Sequence, residues 1–224
     1  MSRIRKGYED RFRALLRQAR ARRLEAGVQW LVAKAGCLSE RQGVSLAGTL
    51  AQVYERLASN KRLQKSAPPP GSVRFLCDAG LGGLARWLRA TGYHAAWQPD
   101  IDDDNLLREA RSLSATLLTT DAMLMERRLL RDRIIPAFWM PPTLSIAEQL
   151  ALVFREFGLV VRPPRCMSCG GELRPVPKEA LRDRIPPKTY LWLDEYFVCR
   201  RCDKLFWHGT HWQRIMARLT DLKH

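Results

Sequence analysis

The sequence predicts an α/β fold: a parallel sheet flanked by helices, with a helical extension before it and a small cysteine-bearing module after it. Three observations predict this. From Val73 onward, short apolar runs alternate with amphipathic stretches four times over, the pattern of βα units and hence of a parallel sheet. Ser66 to Ser72 reads SAPPPGS, and three consecutive prolines make an extended spacer at a domain boundary. Four of the six cysteines fall in two CxxC pairs toward the C-terminal end.

Residues 1–65 form the helical extension. Tyr8, Phe12, Leu15, Leu16, Ala19 and Leu24 recur at helical spacing, with arginines on the other faces. A second helical piece, over residues 28–35, centres on Trp30, Leu31 and Val32. Ser45 caps a third, bearing Leu46, Leu50, Val53, Tyr54 and Leu57. No catalytic constellation occurs here. The segment is either a packing unit with a solvated arginine face or an RNA-contacting arm.

Residues 73–160 carry the alternation. A strand over Val73–Cys77 ends on Asp78, and a helix follows from about Leu81 to Ala90, closed near Gly92. Tyr93–Trp97 is a second strand, and a helix runs from about Asp104 to Ser112. Ala115–Thr119 is a third strand, read as LLTTD with Asp121 just beyond its tip. A helix is expected over Ala122–Leu130, a fourth strand over Ile134–Trp139, and a last helix from Ser145 to about Phe157. Cys77 and Cys37, outside the CxxC pairs, are expected as small buried hydrophobes.

The acids stand at successive strand ends: Asp78 after the first, Asp102, Asp103 and Asp104 after the second, Asp121 after the third. In a parallel sheet these positions converge on one edge, where ligand sites lie. Crowded carboxylates need a cation, and Mg²⁺ or Mn²⁺ prefers carboxylate and water oxygens. Asp78, Asp103 and Asp121 are the candidate ligands and catalytic acids of a phosphodiester-cleaving site. The ordinary alternative for Asp102, Asp104 and Asp121 is a helix N-cap. Arg86 and Arg89, on the helix after Asp78, are candidate phosphate contacts, or else a solvated face.

Residues 161–224 form the cysteine module. Cys166 and Cys169, then Cys199 and Cys202, make two knuckles suited to a tetrahedral zinc ion. Four thiolates leave no open position, so the zinc is structural. His208 and His211 follow; with four cysteines on the metal, His211 is not a ligand but either a candidate RNA contact or a residue packed against the preceding domain. Phe206, Trp207 and Trp212 are either the module's core or stacking platforms for bases.

Charge points to a polyanion, the alternative being a basic solvated surface with no partner. The net charge of +15 is carried as +10 on residues 1–70, −1 on 71–160 and +6 on 161–224, and phosphate neutralisation by Lys and Arg supplies most sequence-independent nucleic-acid affinity. No apolar run approaches the ~20 residues of a membrane span. The N-terminal stretch lacks the apolar centre of a secretory signal, and Glu9 and Asp10 argue against a mitochondrial presequence. A cytoplasmic location and no membrane partner are expected.

Together, Asp78, LGGLARWLRATG, LLTTD, RCMSCG, KEALRDRIPP, CRRC and WHGTHW resemble the Mut-seven C-terminal ribonuclease family, a PIN-like nuclease domain fused to a zinc ribbon. The resemblance covers about residues 72–220. It implies a PIN-like α/β fold, metal-dependent RNA cleavage and a structural zinc ribbon. It supports Asp78, Asp103 and Asp121 as the acids and the four CxxC cysteines as zinc ligands. Thr120 departs from the arginine expected before Asp121, and no fourth acid is identified. The expected function is a metal-dependent ribonuclease, acting on RNA such as tRNA, rRNA or the ribosome. The alternatives are a non-catalytic RNA- or ribosome-binding adaptor with a vestigial site, and a PIN-type toxin, against which the appended zinc module argues.

Overall fold

The computed structural model describes residues 3–19, 21–58 and 71–207, with Gln18 described by its backbone alone. His208, His211, Trp212 and most of the proline-rich linker lie outside the described residues.

Three helices come first: α1 (Arg3–Gln18), α2 (Leu24–Gln42) and α3 (Leu46–Ala58). On α1, Ile4, Tyr8, Phe12 and Leu15 form one buried stripe, the i, i+4 geometry of an amphipathic helix. Helix α2 ends at Gly43 in the left-handed region, φ 64°, where glycine carries no steric penalty. The Ser45 hydroxyl accepts the Gly48 amide at 3.2 Å and so caps α3. Cys37 is exposed on α2, contrary to expectation: the buried face of that helix is taken by Val28, Leu31, Val32 and Ala35.

Strands β1 (Arg74–Cys77), β2 (His94–Trp97), β3 (Thr116–Thr119) and β4 (Ala137–Trp139) form one sheet in the order β2-β1-β3-β4. Every pairing is parallel, with Leu76 opposite Ala96 and Leu117, and Thr119 opposite Trp139. Helices α4 (Gly82–Ala90), α5 (Asp103–Ser112), α6 (Arg128–Arg131) and α7 (Ile146–Phe157) connect or follow them. The expected parallel sheet flanked by helices is present.

Strand alternation sorts the two faces. Phe75, Cys77, Leu118 and Phe138 share a core with α4 and α7. Leu76 and Leu117 share the other with Leu106 and Leu107 of α5 and Leu130 of α6. The first of these cores continues into α1–α3. There Arg11 donates to Glu156 of α7 at 3.3 Å, its guanidinium lies 4.5 Å from the Phe138 ring centre, and the Tyr54 hydroxyl also donates to Glu156.

Three boundaries differ from expectation. The first helix, expected to reach Leu24, ends at Gln18, and Leu24 opens α2 instead. The helix expected over 122–130 is broken into a single 3-10 turn, Leu124–Glu126, and the short α6. One oxygen of Asp121 draws the amides of Met123 and Leu124 into a turn, and Arg127 at φ −60°, ψ 137° leaves the helical region. Strand β4 starts at Ala137, not Ile134, because Arg133 adopts φ 58° and Pro136 has no amide to donate.

The C-terminal module is an antiparallel sheet, β5 (Leu173–Val176), β6 (Tyr196–Cys199) and β7 (Leu205–Trp207), in sequence order. The long interval between the knuckles holds a 3-10 turn, Lys178–Leu181, and α8 (Pro187–Trp192). Leu181, Ile185, Tyr196 and Val198 form its core, with Leu205 and Trp207 packed against them. Trp207 therefore takes the core role. Among the described residues, no helix is long and apolar enough to cross a membrane.

Candidate functional site

The chain leaves β1, pairs β2 on one side, then crosses over to place β3 on the other side of β1. The β1/β3 junction is therefore the topological switch point, and ligands bind in the crevice outside the carboxyl ends of the strands there. Asp78 follows β1 and Asp121 lies just past β3, so both flank that crevice.

Asp78 is 8 % exposed. Its Oδ2 accepts the Thr119 hydroxyl at 2.5 Å and the Thr120 amide at 3.1 Å. Its Oδ1 is buried without a hydrogen-bond partner. Burial pushes the Asp78 carboxyl above its ordinary range. The Thr119 hydroxyl and the amides of Thr120 and Gly80 pull the other way, and the charge of Asp121 adds to the rise. The turn after Asp78 is pinned by Trp97, whose indole donates to the Ala79 carbonyl at 3.0 Å. Gly82 is required there, because a Cβ would lie 2.7 Å from the Trp97 ring.

Asp121 is exposed. Its Oδ1 caps the following turn, at 2.6 Å from the Met123 amide and 3.2 Å from that of Leu124. The Thr119 hydroxyl that serves Asp78 also accepts the Asp121 amide at 2.9 Å, and the Trp139 indole holds the Thr120 carbonyl at 2.9 Å. Thr119 thus joins the two acids. In the sequence it reads as an ordinary strand residue, and only the β1–β3 register exposes its role.

The second strand end behaves differently. Asp102 is the N-cap of α5, accepting the Asn105 amide at 2.9 Å. Asp104 is paired with Arg127. Asp103, between them, is exposed in the first turn of α5. The three candidate acids are not drawn together as tightly as the cysteines: among the described residues, only the four cysteines place three or more such ligand atoms within 4.8 Å of one another.

The two arginines of α4 separate. Arg86 is exposed and has no ion-pair partner among the described residues. Arg89 is 5 % exposed. Its Nε donates to the Ala95 carbonyl of β2 at 2.7 Å, and one terminal nitrogen donates to the carbonyls of Met167 and Ser168 at 3.1 and 2.9 Å. Arg89 is thus buried and bound to carbonyls rather than solvated. It clamps the first knuckle onto the sheet, because the arginine fork can reach several carbonyls at once.

In the knuckles, Sγ of Cys166 lies 3.6 Å from that of Cys202, and Sγ of Cys169 lies 3.4 Å from that of Cys199. Tetrahedral zinc with ~2.3 Å bonds needs sulfur–sulfur edges of about 3.8 Å. Amides of Gly171, Arg201 and Cys202 approach the sulfurs at 3.4–3.5 Å. A Cβ at Gly171 would stand 2.9 Å from the Cys199 sulfur and 3.3 Å from that of Cys169. The four thiols are positioned to hold one metal ion, and their chemistry and spacing suit zinc.

The sequence model of the Mut7-C RNAse domain matches residues 73–219. The chain belongs to the Mut7-C RNAse domain family. No curated relative and no solved structure gave a match. The Mut7-C RNAse domain assignment spans both the parallel sheet with its acids and the cysteine module, and it makes the protein nuclease-type. The helices α1–α3 lie outside it.

Proposed function

We propose that the protein is a metal-dependent endoribonuclease that hydrolyses RNA phosphodiester bonds. The observation that carries this reading is the buried, unpartnered Oδ1 of Asp78 at the switch point. A buried acceptor without a donor is costly, and a carboxylate oxygen in that position suits a hard cation. Asp78 and Asp121 hold Mg²⁺ or Mn²⁺, and Asp103 joins them from the first turn of α5. When bound, the ion supplies charge neutralisation and activation of water. Thr119 and the Thr120 amide fix the orientation of Asp78. Arg86 offers a cation to phosphate. The zinc ribbon, with His211, and the basic ends of the chain hold RNA in the cytoplasm.

Asp78→Asn tests this. The reading expects several kcal/mol of transition-state stabilisation to be lost, so cleavage of a labelled RNA falls by at least ~10²-fold, with an unchanged far-ultraviolet spectrum. Undiminished cleavage overturns it. One observation favours the competing adaptor reading: Asp103 stands exposed beside Asp102 and Asp104, which serve as cap and ion-pair partner. RNA binding by the wild type without any Mg²⁺- or Mn²⁺-dependent cleavage would establish the adaptor.

A further inference from the structure

We propose that the groove between α5 and the 127–129 segment is a binding track for the phosphate backbone of single-stranded RNA leaving the acidic site. The proposal rests on the ribonuclease reading above for the identity of the acidic site, and extends it to residues that reading does not use.

The groove has a volume of about 540 Å³. Its rims are Arg108 and Arg111 of α5 and Arg127 and Arg128 of the facing segment, all exposed. The one acid lining it, Asp104, is already paired with Arg127. Its floor is apolar: Leu107, buried in the α5–sheet core, and Leu129, packed against that core. Cationic rims over an apolar floor match a strand whose phosphates point outward and whose bases lie against a nonpolar surface.

Three features connect the groove to the site. Strand alternation puts Asp78 on the same face as Leu76, the face covered by α5 and α6. The walls start at the acids: α5 opens with Asp103, and the opposite wall descends from Asp121. From Asp103, the eight residues to Arg111 lead ~12 Å along α5. Helix α4, which carries Arg86, packs on the opposite face, so the α5 side is where the arginines flank the acids.

A wider cleft of about 1180 Å³ between α1 and the start of β4 competes for the role. There Arg3, Lys6, Arg11, Arg131 and Arg133 are offset by Glu9, Asp10, Asp132 and Glu156, with Arg133 and Arg11 already paired to Asp10 and Glu156. It also lies at the amino ends of β3 and β4, away from the acids.

The test uses the full chain carrying Asp78→Asn, so that RNA stays intact, and a fluorescein-labelled uridine hexamer read by anisotropy. Combined Arg108→Gln, Arg111→Gln and Arg128→Gln should weaken binding by ~10-fold or more. The log–log salt slope should become shallower by about 2, at roughly 0.7 per phosphate contact for a single strand. The control, Arg74→Gln, Arg131→Gln and Arg133→Gln, removes the same charge from exposed positions of the same domain outside the groove and should leave the hexamer affinity within ~2-fold. Unchanged affinity in the groove variant, or equal loss in the control, overturns the proposal. A hexamer duplex that competes as well as the single strand also overturns it. Failure of the ribonuclease reading is seen separately, as absence of metal-dependent cleavage by the wild type.

Discussion

The Thr119 hydroxyl donates to the buried Oδ2 of Asp78 at 2.5 Å. The same oxygen accepts the amide of Asp121 at 2.9 Å, so one side chain on β3 sets the position of the acid that follows β1 and of the acid two residues further on. Thr119→Val keeps the shape and removes both bonds. Asp78 then has only the Thr120 amide on that oxygen. We expect a loss of about 1–3 kcal/mol in urea unfolding and a further rise of the Asp78 carboxyl pKa, seen as an alkaline shift of the acid limb of the cleavage profile. Thr119→Ser should restore both; a serine variant as impaired as valine would remove the hydroxyl from the account.

Burial raises the Asp78 carboxyl above its ordinary value, and this makes a stability prediction with a definite sign. The folded state then holds the Asp78 proton more tightly than the unfolded chain, so this group's contribution is fully present below the ordinary carboxylate range and is lost as pH rises through the raised value. Asparagine has no such dependence. In metal-free buffer, Asp78→Asn should gain stability over wild type as pH rises above that range, with the gain absent at low pH. Adding Mn²⁺ should reverse the order, raising the wild-type melting temperature but not that of the variant. Thermal melts across pH, with and without Mn²⁺, check both parts.

Arg89 joins β2 to the first knuckle through three carbonyls. Arg89→Met should cost about 2–3 kcal/mol, because bonds to a charged donor are lost in a buried setting. Arg89→Lys should not rescue it, since a single ammonium cannot reproduce the fork. The loss should appear as faster amide exchange at residues 166–171 and faster metal release to a chelating dye. Hexamer affinity should stay unchanged; a selective fall in RNA affinity with normal stability would return Arg89 to the substrate.

Removal of zinc should unfold the ribbon and leave the parallel sheet, because the ribbon core is only Leu181, Ile185, Tyr196 and Val198 with their neighbours, too small to stand without a metal. Amide exchange after chelation should show β5–β7 open and β1–β4 protected. Gly171→Ala should weaken zinc binding by ~10-fold or more, the range seen when groups supporting metal ligands are altered, because its Cβ would press on the Cys199 sulfur.

The placement of the candidate site residues was legible from local spacing. Asp78 and Asp121 were marked by short apolar runs ending on acids, and the knuckles by CxxC. The Ser145 cap of α7 was readable for the same reason: its hydroxyl and the Glu148 carboxylate complete a capping box four residues long. Each such signal lies within one element, where helical or strand periodicity governs which side chains meet.

The chain's own sequence, then, determined the order of the βα units, the acids at the strand tips, the cysteine set and the basic ends, because these depend on neighbours a few residues apart. Only the tertiary structure decided that Thr119 serves Asp78, that Arg89 turns inward to carbonyls 78 and 79 residues away, that Cys37 is exposed, and that α1–α3 share the core of the sheet. Those outcomes depend on strand register and on which faces pack together. No single stretch of sequence carries that information, because the free energy that selects it comes from burying surfaces distant in the chain.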